Sequence, residues 1–436
     1  MKRLKRDMKR RLNKGSGHAG MLGTARRGTA SFLALVIPVL SLAGDWPQIM
    51  GPQRDGVAEE ETLLLKWPGT GPEKAWQIEA GQGFSAPVVQ GNTLVLYHRP
   101  GTDDRVEAFT VDTGKSIWQR SFPSSYRGSI NPDSGPRATP VIHQGRVYTI
   151  SAEGRVACLD LDSGEQYWQR ELGKETRAPE GYFGMGNSPI IADGKLLFNL
   201  GAKKAGIVAL DLASGKTAWQ VTDHAASYSA PIAARLGDRN AVIFITRYVT
   251  MGLEPSSGER LFSIPFGMRG PTVNAALPLL IDQRLFLTAS YRVGAAMYEV
   301  NETKTRKVWA RDDALSSQYT SAVYHAGYIF GTHGREDIPP AHLRCIEART
   351  GKVQWSKDNH GVTHLIRVGD HLLALTIEGR LSLIEASAEA YKELAAHRIS
   401  KETTRSFPAL SRGRLLVRGS NDGSSGTLSC FVVGKP

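Results

Sequence analysis

The chain has 436 residues, 41% of them hydrophobic, with 46 glycines and a formal net charge of +12. That length and apolar content suit a large folded core, and glycine near about 11%, against roughly 7% on average, suits a turn-rich all-β protein. The charge is not spread evenly. Residues 1–43 hold ten Lys/Arg and one acid, and removing that +9 leaves +3, so a nucleic-acid-binding surface is not expected.

Within the basic stretch, Ala30–Leu42 is a short apolar run that follows Arg26-Arg27 and ends at Ser41-Leu42-Ala43. A basic region, a short apolar core and small residues at the −3 and −1 positions mark a secretory signal peptide over 1–43. The run is too short to span a bilayer and contains Pro38, so no transmembrane segment is expected in the mature chain. Cleavage near Ala43-Gly44 would leave an exported protein, periplasmic or extracellular. A start at Met21 and a twin-arginine reading of Arg26-Arg27 both stay open. No cysteine sits at the cleavage point to take a lipid anchor. The three cysteines, Cys158, Cys345 and Cys430, are odd in number and far apart, which suits buried small residues and not a disulfide framework.

Residues 44–74 read as a Pro/Gly-rich lead-in, opening Asp45-Trp46-Pro47-Gln48. Lys74-Ala75-Trp76-Gln77-Ile78 then gives a tryptophan strand with nothing before it to pair with. From there a unit recurs. It opens on small residues, usually with proline, as in Ser85-Ala86-Pro87, Ala138-Thr139-Pro140, Asn187-Ser188-Pro189, Ser229-Ala230-Pro231, Ala276-Leu277-Pro278, Thr320-Ser321-Ala322, Val362-Thr363-His364 and Ser406-Phe407-Pro408. It closes through a Ser/Thr-Gly-Lys/Glu turn with an aromatic residue four positions after the glycine. Examples are Gly114 to Trp118, Gly164 to Trp168, Gly215 to Trp219, Gly258 to Phe262 and Gly351 to Trp355. This is a hairpin whose glycine takes positive φ. Eight openings face eight closing strands, at Trp76, Trp118, Trp168, Trp219, Phe262, Trp309, Trp355 and Tyr391–Leu394, offset by one. That offset predicts a ring over 75–436: an all-β, eight-bladed β-propeller of four-stranded antiparallel blades, closed by the N-terminal strand at Trp76. Trp76, Trp118, Trp168, Trp219, Trp309 and Trp355 are structural, packing between blades.

The unit Ala-x-Asp-x-x-Ser/Thr-Gly-Lys/Glu-x-x-x-Trp resembles the tryptophan-docking repeat of the pyrroloquinoline-quinone-type propellers. That superfamily includes the quinoprotein alcohol dehydrogenases and BamB-like envelope assembly proteins. Trp46-Pro47-Gln48 with Gly51-Pro52, and Gly135-Pro136-Arg137-Ala138, are similar to openings in secreted bacterial members. The resemblance implies the fold and a place in the cell envelope, and it carries no general activity. A dehydrogenase of alcohols or sugars would need pyrroloquinoline quinone, calcium with several oxygen ligands, an Asp base, a stacking tryptophan and, in many members, adjacent cysteines. Adjacent cysteines are missing, as is a spare tryptophan in a long insertion. No G-x-S-x-G, H-E-x-x-H or P-loop motif occurs either.

The expected function is therefore a non-catalytic binding or assembly scaffold in the cell envelope, with no required cofactor. A quinone-dependent dehydrogenase is one alternative, and a metal-dependent enzyme on envelope polysaccharide is another. Six of eleven histidines lie between His325 and His371, and His360 and His364 are the weak metal candidates among them. Long blade-to-blade connections after Trp118 and Trp168 carry aromatic and arginine side chains on a rigid scaffold, where recognition usually sits. The expected binding face comprises Tyr126, Arg127, Arg137, Tyr182, Asn187, Tyr228, Asn274, Tyr319 and His364. Its partner would be an envelope protein or a small-molecule or carbohydrate ligand, with the chain a monomer.

Overall fold

The computed structural model describes residues 44–435 except Pro271 and Asp422. The expected signal peptide therefore lies outside the described residues. Eight four-stranded antiparallel sheets follow one another around a ring. Blade 1 runs through Val88–Gln90, Thr93–His98, Asp104–Thr110 and Ser116–Phe122, each strand pairing with the next. Blades 2 to 7 repeat this order, ending on Gln166–Glu171, Thr217–Val221, Arg260–Pro265, Thr305–Arg311, Val353–Lys357 and Glu393–Arg398. Blade 8 takes three strands, Ala409–Ser411, Arg414–Arg418 and Gly426–Val432, from the C-terminal end. Its fourth is Glu73–Ala80, with Trp76 opposite Cys430. The ring is an eight-bladed β-propeller closed by the Trp76 strand, so no sheet is left to close on itself.

The repeated tryptophan and glycine are two halves of one joint. Each outer-strand indole donates its Nε1–H to a carbonyl in the turn of the next blade. Trp76 reaches Val111 at 2.8 Å, Trp118 reaches Leu161 at 2.8 Å, and Trp168 reaches Leu212 at 2.9 Å. Trp219, Trp309 and Trp355 do the same to Pro255, Ala348 and Ser387. The ring then lies on that turn's glycine: at Gly164 and Gly215 an added Cβ would meet the preceding tryptophan closer than 3.0 Å. Both glycines also have φ near 70° (70° and 68°), so a side chain there is excluded twice over. Upstream, Asp160 and Asp211 accept from the backbone N–H and hydroxyl of Ser163 and Ser214, which fixes the turn.

Two joints lack the indole. Phe262 fills that position in blade 4 as buried apolar surface only. Tyr391, read from the sequence as opening blade 7's last strand, precedes it and packs edge-on against Trp355 at 5.8 Å. It thus serves the joint before blade 7, while Leu394 packs into the core towards blade 8.

The segment read as a lead-in is part of the core. Trp46 is buried and pairs with Val89 of blade 1, and Pro47 accepts from Ile142 of blade 2. Ile49 and Met50 pack in the apolar cluster of blades 4 to 7. The Arg54 guanidinium donates to the carbonyls of Pro189 and Pro231, in blades 3 and 4, and to Gln48 Oε1 at 2.8 Å. Burial pulls its pKa down to about 9. Gly56 and Ala58 exchange backbone hydrogen bonds with Arg367 of blade 7, and Glu61 accepts from the Arg412 and Gly413 N–H groups of blade 8. Residues 44–61 therefore plug the channel, and Thr62–Leu63 then pairs with Gly434–Lys435.

Candidate functional site at the channel mouth

The small polar residues that open each blade form a belt around the channel. Thr139 Oγ1 accepts from Ala86 N–H at 3.0 Å, Ser188 Oγ from Thr139 N–H at 2.9 Å, and Ser321 Oγ from Leu277 N–H at 3.0 Å. Asn187 and Asn274 belong to this belt. Asn187 bridges Ser229 O and Asn199 N–H, and Asn274 Nδ2 donates to Thr246 O and Arg247 O. Both are buried, with their amides committed to backbone groups. Such a belt satisfies strand ends that converge where no further strand can pair.

Above the belt is a cavity of ≈ 550 Å³ whose floor includes Ile49 of the plug. The wall from blades 1 to 4 is aromatic, with Phe84, Phe183 and Tyr228. Tyr228 Oη accepts from the N–H groups of Tyr182 and Phe183, both at 2.9 Å, which ties the 181–183 loop down. Arg137 also lines the cavity, but it is only 8% exposed. Its guanidinium bonds Asp133 Oδ1, Gly135 O and Phe183 O, and stacks on Phe84 at 4.7 Å and Tyr126 at 5.7 Å. It is a clamp that shapes two loops. Tyr126 is buried beneath it, and Arg127 is exposed, donating to Tyr126 O.

The opposite wall comes from blades 5 to 8. Arg405 Nε lies 2.9 and 3.1 Å from the two Glu336 oxygens, and Tyr319 Oη donates to Glu336 Oε2 at 2.8 Å. Burial, followed by the Glu336 charge, raises the Tyr319 phenol well above its ordinary value. Asp337 accepts from Arg335 Nε at 2.9 Å and from Gln318 Nε2 at 3.1 Å; the Arg335 hydrogen bond holds its carboxyl below the usual range. Arg335 in turn stacks on Tyr291 at 4.2 Å. Tyr291 and Arg292 have φ of 63° and 64°, consecutive left-handed residues without glycine. Elsewhere such turns place glycine second, as in Gln144-Gly145, Asp193-Gly194, Ala326-Gly327 and Arg412-Gly413. Strain of about 1–3 kcal/mol per residue is thus retained at the mouth.

The structure brings Arg137, Tyr228 and Tyr319 together on the cavity wall and leaves Tyr182 outside it. His364 lies behind Phe407 at 4.6 Å, fully buried against the backbone of Thr404 and Arg405, and burial lowers its pKa to about 4. His360 pairs with Thr363 Oγ1 at 2.9 Å. Among the described residues no group of three or more His, Cys, Asp or Glu is placed to hold a metal ion. The sequence reading missed Tyr291, Gln318, Glu336, Asp337 and Arg405. One signal was available: the turn from Gly334 to Ala341 spans eight residues between two strands that blades 2 to 5 and 7 join with two to four.

Outside the cavity, blades 3 and 4 expose an apolar and cationic patch. The Arg247 guanidinium lies 5.5 Å from the Tyr182 ring centre and 5.4 Å from that of Tyr248. Tyr182 is 39% exposed, Tyr248 43%, and Met268 on the adjoining loop 38%. Phe266 N–H to Tyr248 O at 2.9 Å holds the two loops together.

Residues 102–357 match the family described as outer membrane protein assembly factor BamB, which is more than half of the chain. The chain belongs to this family. The match runs from blade 1 to the end of blade 6, so the plug and blades 7 and 8 of this BamB-family protein lie outside it. Its relatives include BamB of Escherichia coli (strain K12), 31% identical over 144 residues, 33% of this chain and 32% of the relative. Another is BamB of Kangiella koreensis, 24% identical over 215 residues, 48% of this chain and 49% of the relative. The chain thus spans about a third and about a half of the length of these two curated relatives. Among solved structures, BamB from Moraxella catarrhalis superposes with a TM-score of 0.60 at 16% identity, covering 82% of this chain and 97% of that one. A quinohemoprotein alcohol dehydrogenase from Pseudomonas putida HK5 superposes with 0.65 at 11% identity, covering 90% and 81%. These two likenesses concern the fold.

Proposed function

We propose that this BamB-family chain is an exported, non-catalytic scaffold of the cell envelope that docks a protein of outer-membrane assembly on its channel-mouth loops. The observation that carries this is the Tyr182–Arg247–Tyr248–Met268 surface. Tyrosine, arginine and methionine side chains exposed together on rigid loops are the composition of an interface core. Family membership supplies the kind of partner. A photo-crosslinking amino acid at position 248 should capture an outer-membrane assembly protein in intact envelopes. The same group at Tyr167, exposed on the outer girdle, should not. Equal capture from both positions, or none from position 248, would overturn the reading.

The quinone-dependent alternative is weakened by the mouth's own chemistry. Pyrroloquinoline quinone is a tricarboxylate and needs unpaired cations, yet Arg137 and Arg405 each already face a carboxylate. No tryptophan lines the cavity, and among the described residues no group of three or more His, Cys, Asp or Glu is placed to hold a metal ion. The residues present do not fit that cofactor. Titration with the quinone, with and without Ca²⁺, should give no heat and no shift in melting temperature. Calcium-dependent 1:1 binding would restore the dehydrogenase reading.

A further inference from the structure

The cavity itself is a second site, distinct from the docking patch. Its volume of ≈ 550 Å³ falls within the roughly 300–1,000 Å³ of small-molecule sites. Its guanidiniums are matched by carboxylates, Arg137 with Asp133 and Arg405 with Glu336, so it selects neither anions nor cations. Its polar groups come as forks, the Glu336 and Asp337 carboxylates and the Gln318 and Asn131 amides; Glu336 already accepts from Arg405 and Tyr319, Asp337 from Arg335 and Gln318, and Gln318 donates to Tyr291. Asn131 Oδ1 accepts from Asp133 N–H, which leaves its NH₂ without a partner among the described residues. Facing these forks are flat rings, Phe84 and Phe183 on one wall and Tyr291 and Phe407 on the other.

A ligand matching all three features is uncharged, has an apolar face for aromatic contact, and carries hydroxyls in adjacent pairs. We propose that the cavity binds a neutral saccharide of one or a few pyranose rings. The axial C–H face of the sugar lies on an aromatic ring, and its vicinal hydroxyls meet the Glu336 and Asp337 forks. Tyr291 is the feature least explained by folding alone. A strained Tyr-Arg turn stands where glycine would relax the chain, and it holds the ring at the cavity edge between Arg335 and Gln318.

The test uses saturation-transfer NMR on the purified protein with three probes, maltotriose, cellotriose and triacetylchitotriose, at millimolar concentration. At least one should receive saturation on its ring C–H protons. Tyr291→Gly should abolish that transfer while keeping or raising the melting temperature, because glycine accepts the positive φ. Glu336→Gln should weaken binding by roughly tenfold, with folding checked by thermal melting. No transfer to any of the three sugars would overturn the proposal, as would transfer unchanged in the Tyr291→Gly protein. Crosslinking at position 248 does not depend on the cavity, so the docking reading and this one fail separately.

Discussion

The outer girdle and the channel mouth of this propeller are built on opposite rules. Around the girdle one solution is used again and again: an indole N–H finds a carbonyl in the next blade, over a glycine that leaves room for the ring. At the mouth no single joint is repeated around the ring, and side chains meet in individual pairs such as Arg137–Asp133 and Arg405–Glu336. The difference teaches where to look for stability and where for recognition. Repetition answers a packing problem that every blade shares, whereas a binding face must be asymmetric to tell one partner from another.

The largest expected effect comes from breaking a joint of the girdle. Trp168→Ala removes a buried ring that packs beside Tyr148 and donates to Leu212 O, and should lower stability by about 3–5 kcal/mol in denaturant melts. Trp168→Phe keeps most of the packing and should lose less, about 1–3 kcal/mol, through the unmatched carbonyl. Neither change should alter crosslinking at position 248 in protein that remains folded.

An intermediate effect belongs to the mouth's supporting layer. Burial lowers the His364 pKa from 6.5 to about 4, so the folded protein holds this ring neutral. Above about pH 6.5 the imidazole is neutral in both folded and unfolded chains and makes no difference. As pH falls from about 6.5 to about 4 the unfolded chain takes up the proton first, and stability falls by about 3 kcal/mol. His364→Asn should flatten that part of the stability profile between pH 7 and pH 4. A profile as steep as the parent's would place the acid sensitivity elsewhere.

The smallest effect should come from the docking patch. Tyr182→Ser and Tyr248→Ser expose no core and should change stability by less than about 0.5 kcal/mol. A large loss of stability would show that these rings serve packing and not recognition.

The girdle was legible in the sequence because its physics is local and periodic: Asp160, Ser163, Gly164 and Trp168 stand at fixed spacing within one hairpin. The plug was not. Gly56, Ala58 and Glu61 use mainly backbone groups of distant blades, so the segment shows neither helical nor strand periodicity and read only as Pro/Gly-rich. Half of the mouth was visible through the long connections after Trp118 and Trp168. The other half, Tyr291 and Glu336, sits on turns within blades 5 and 6, which a reading of connections between blades passes over. Asn187 and Asn274 were read as part of a binding face, and their amides instead join strand ends. A polar residue at the start of a buried strand has the same appearance in both roles until its partners are known.

The central claim is that the blade 3 and 4 loops at the mouth, and not the girdle, recognise the partner. It is tested most directly by copurification from envelopes of three chains: the parent, Arg247→Glu/Tyr248→Ser, and Ile117→Ser/Tyr167→Ser. Loss of the outer-membrane assembly protein from the mouth variant alone, with all three melting alike, is the predicted result. Retention by the mouth variant, or equal loss from the girdle variant, would contradict it.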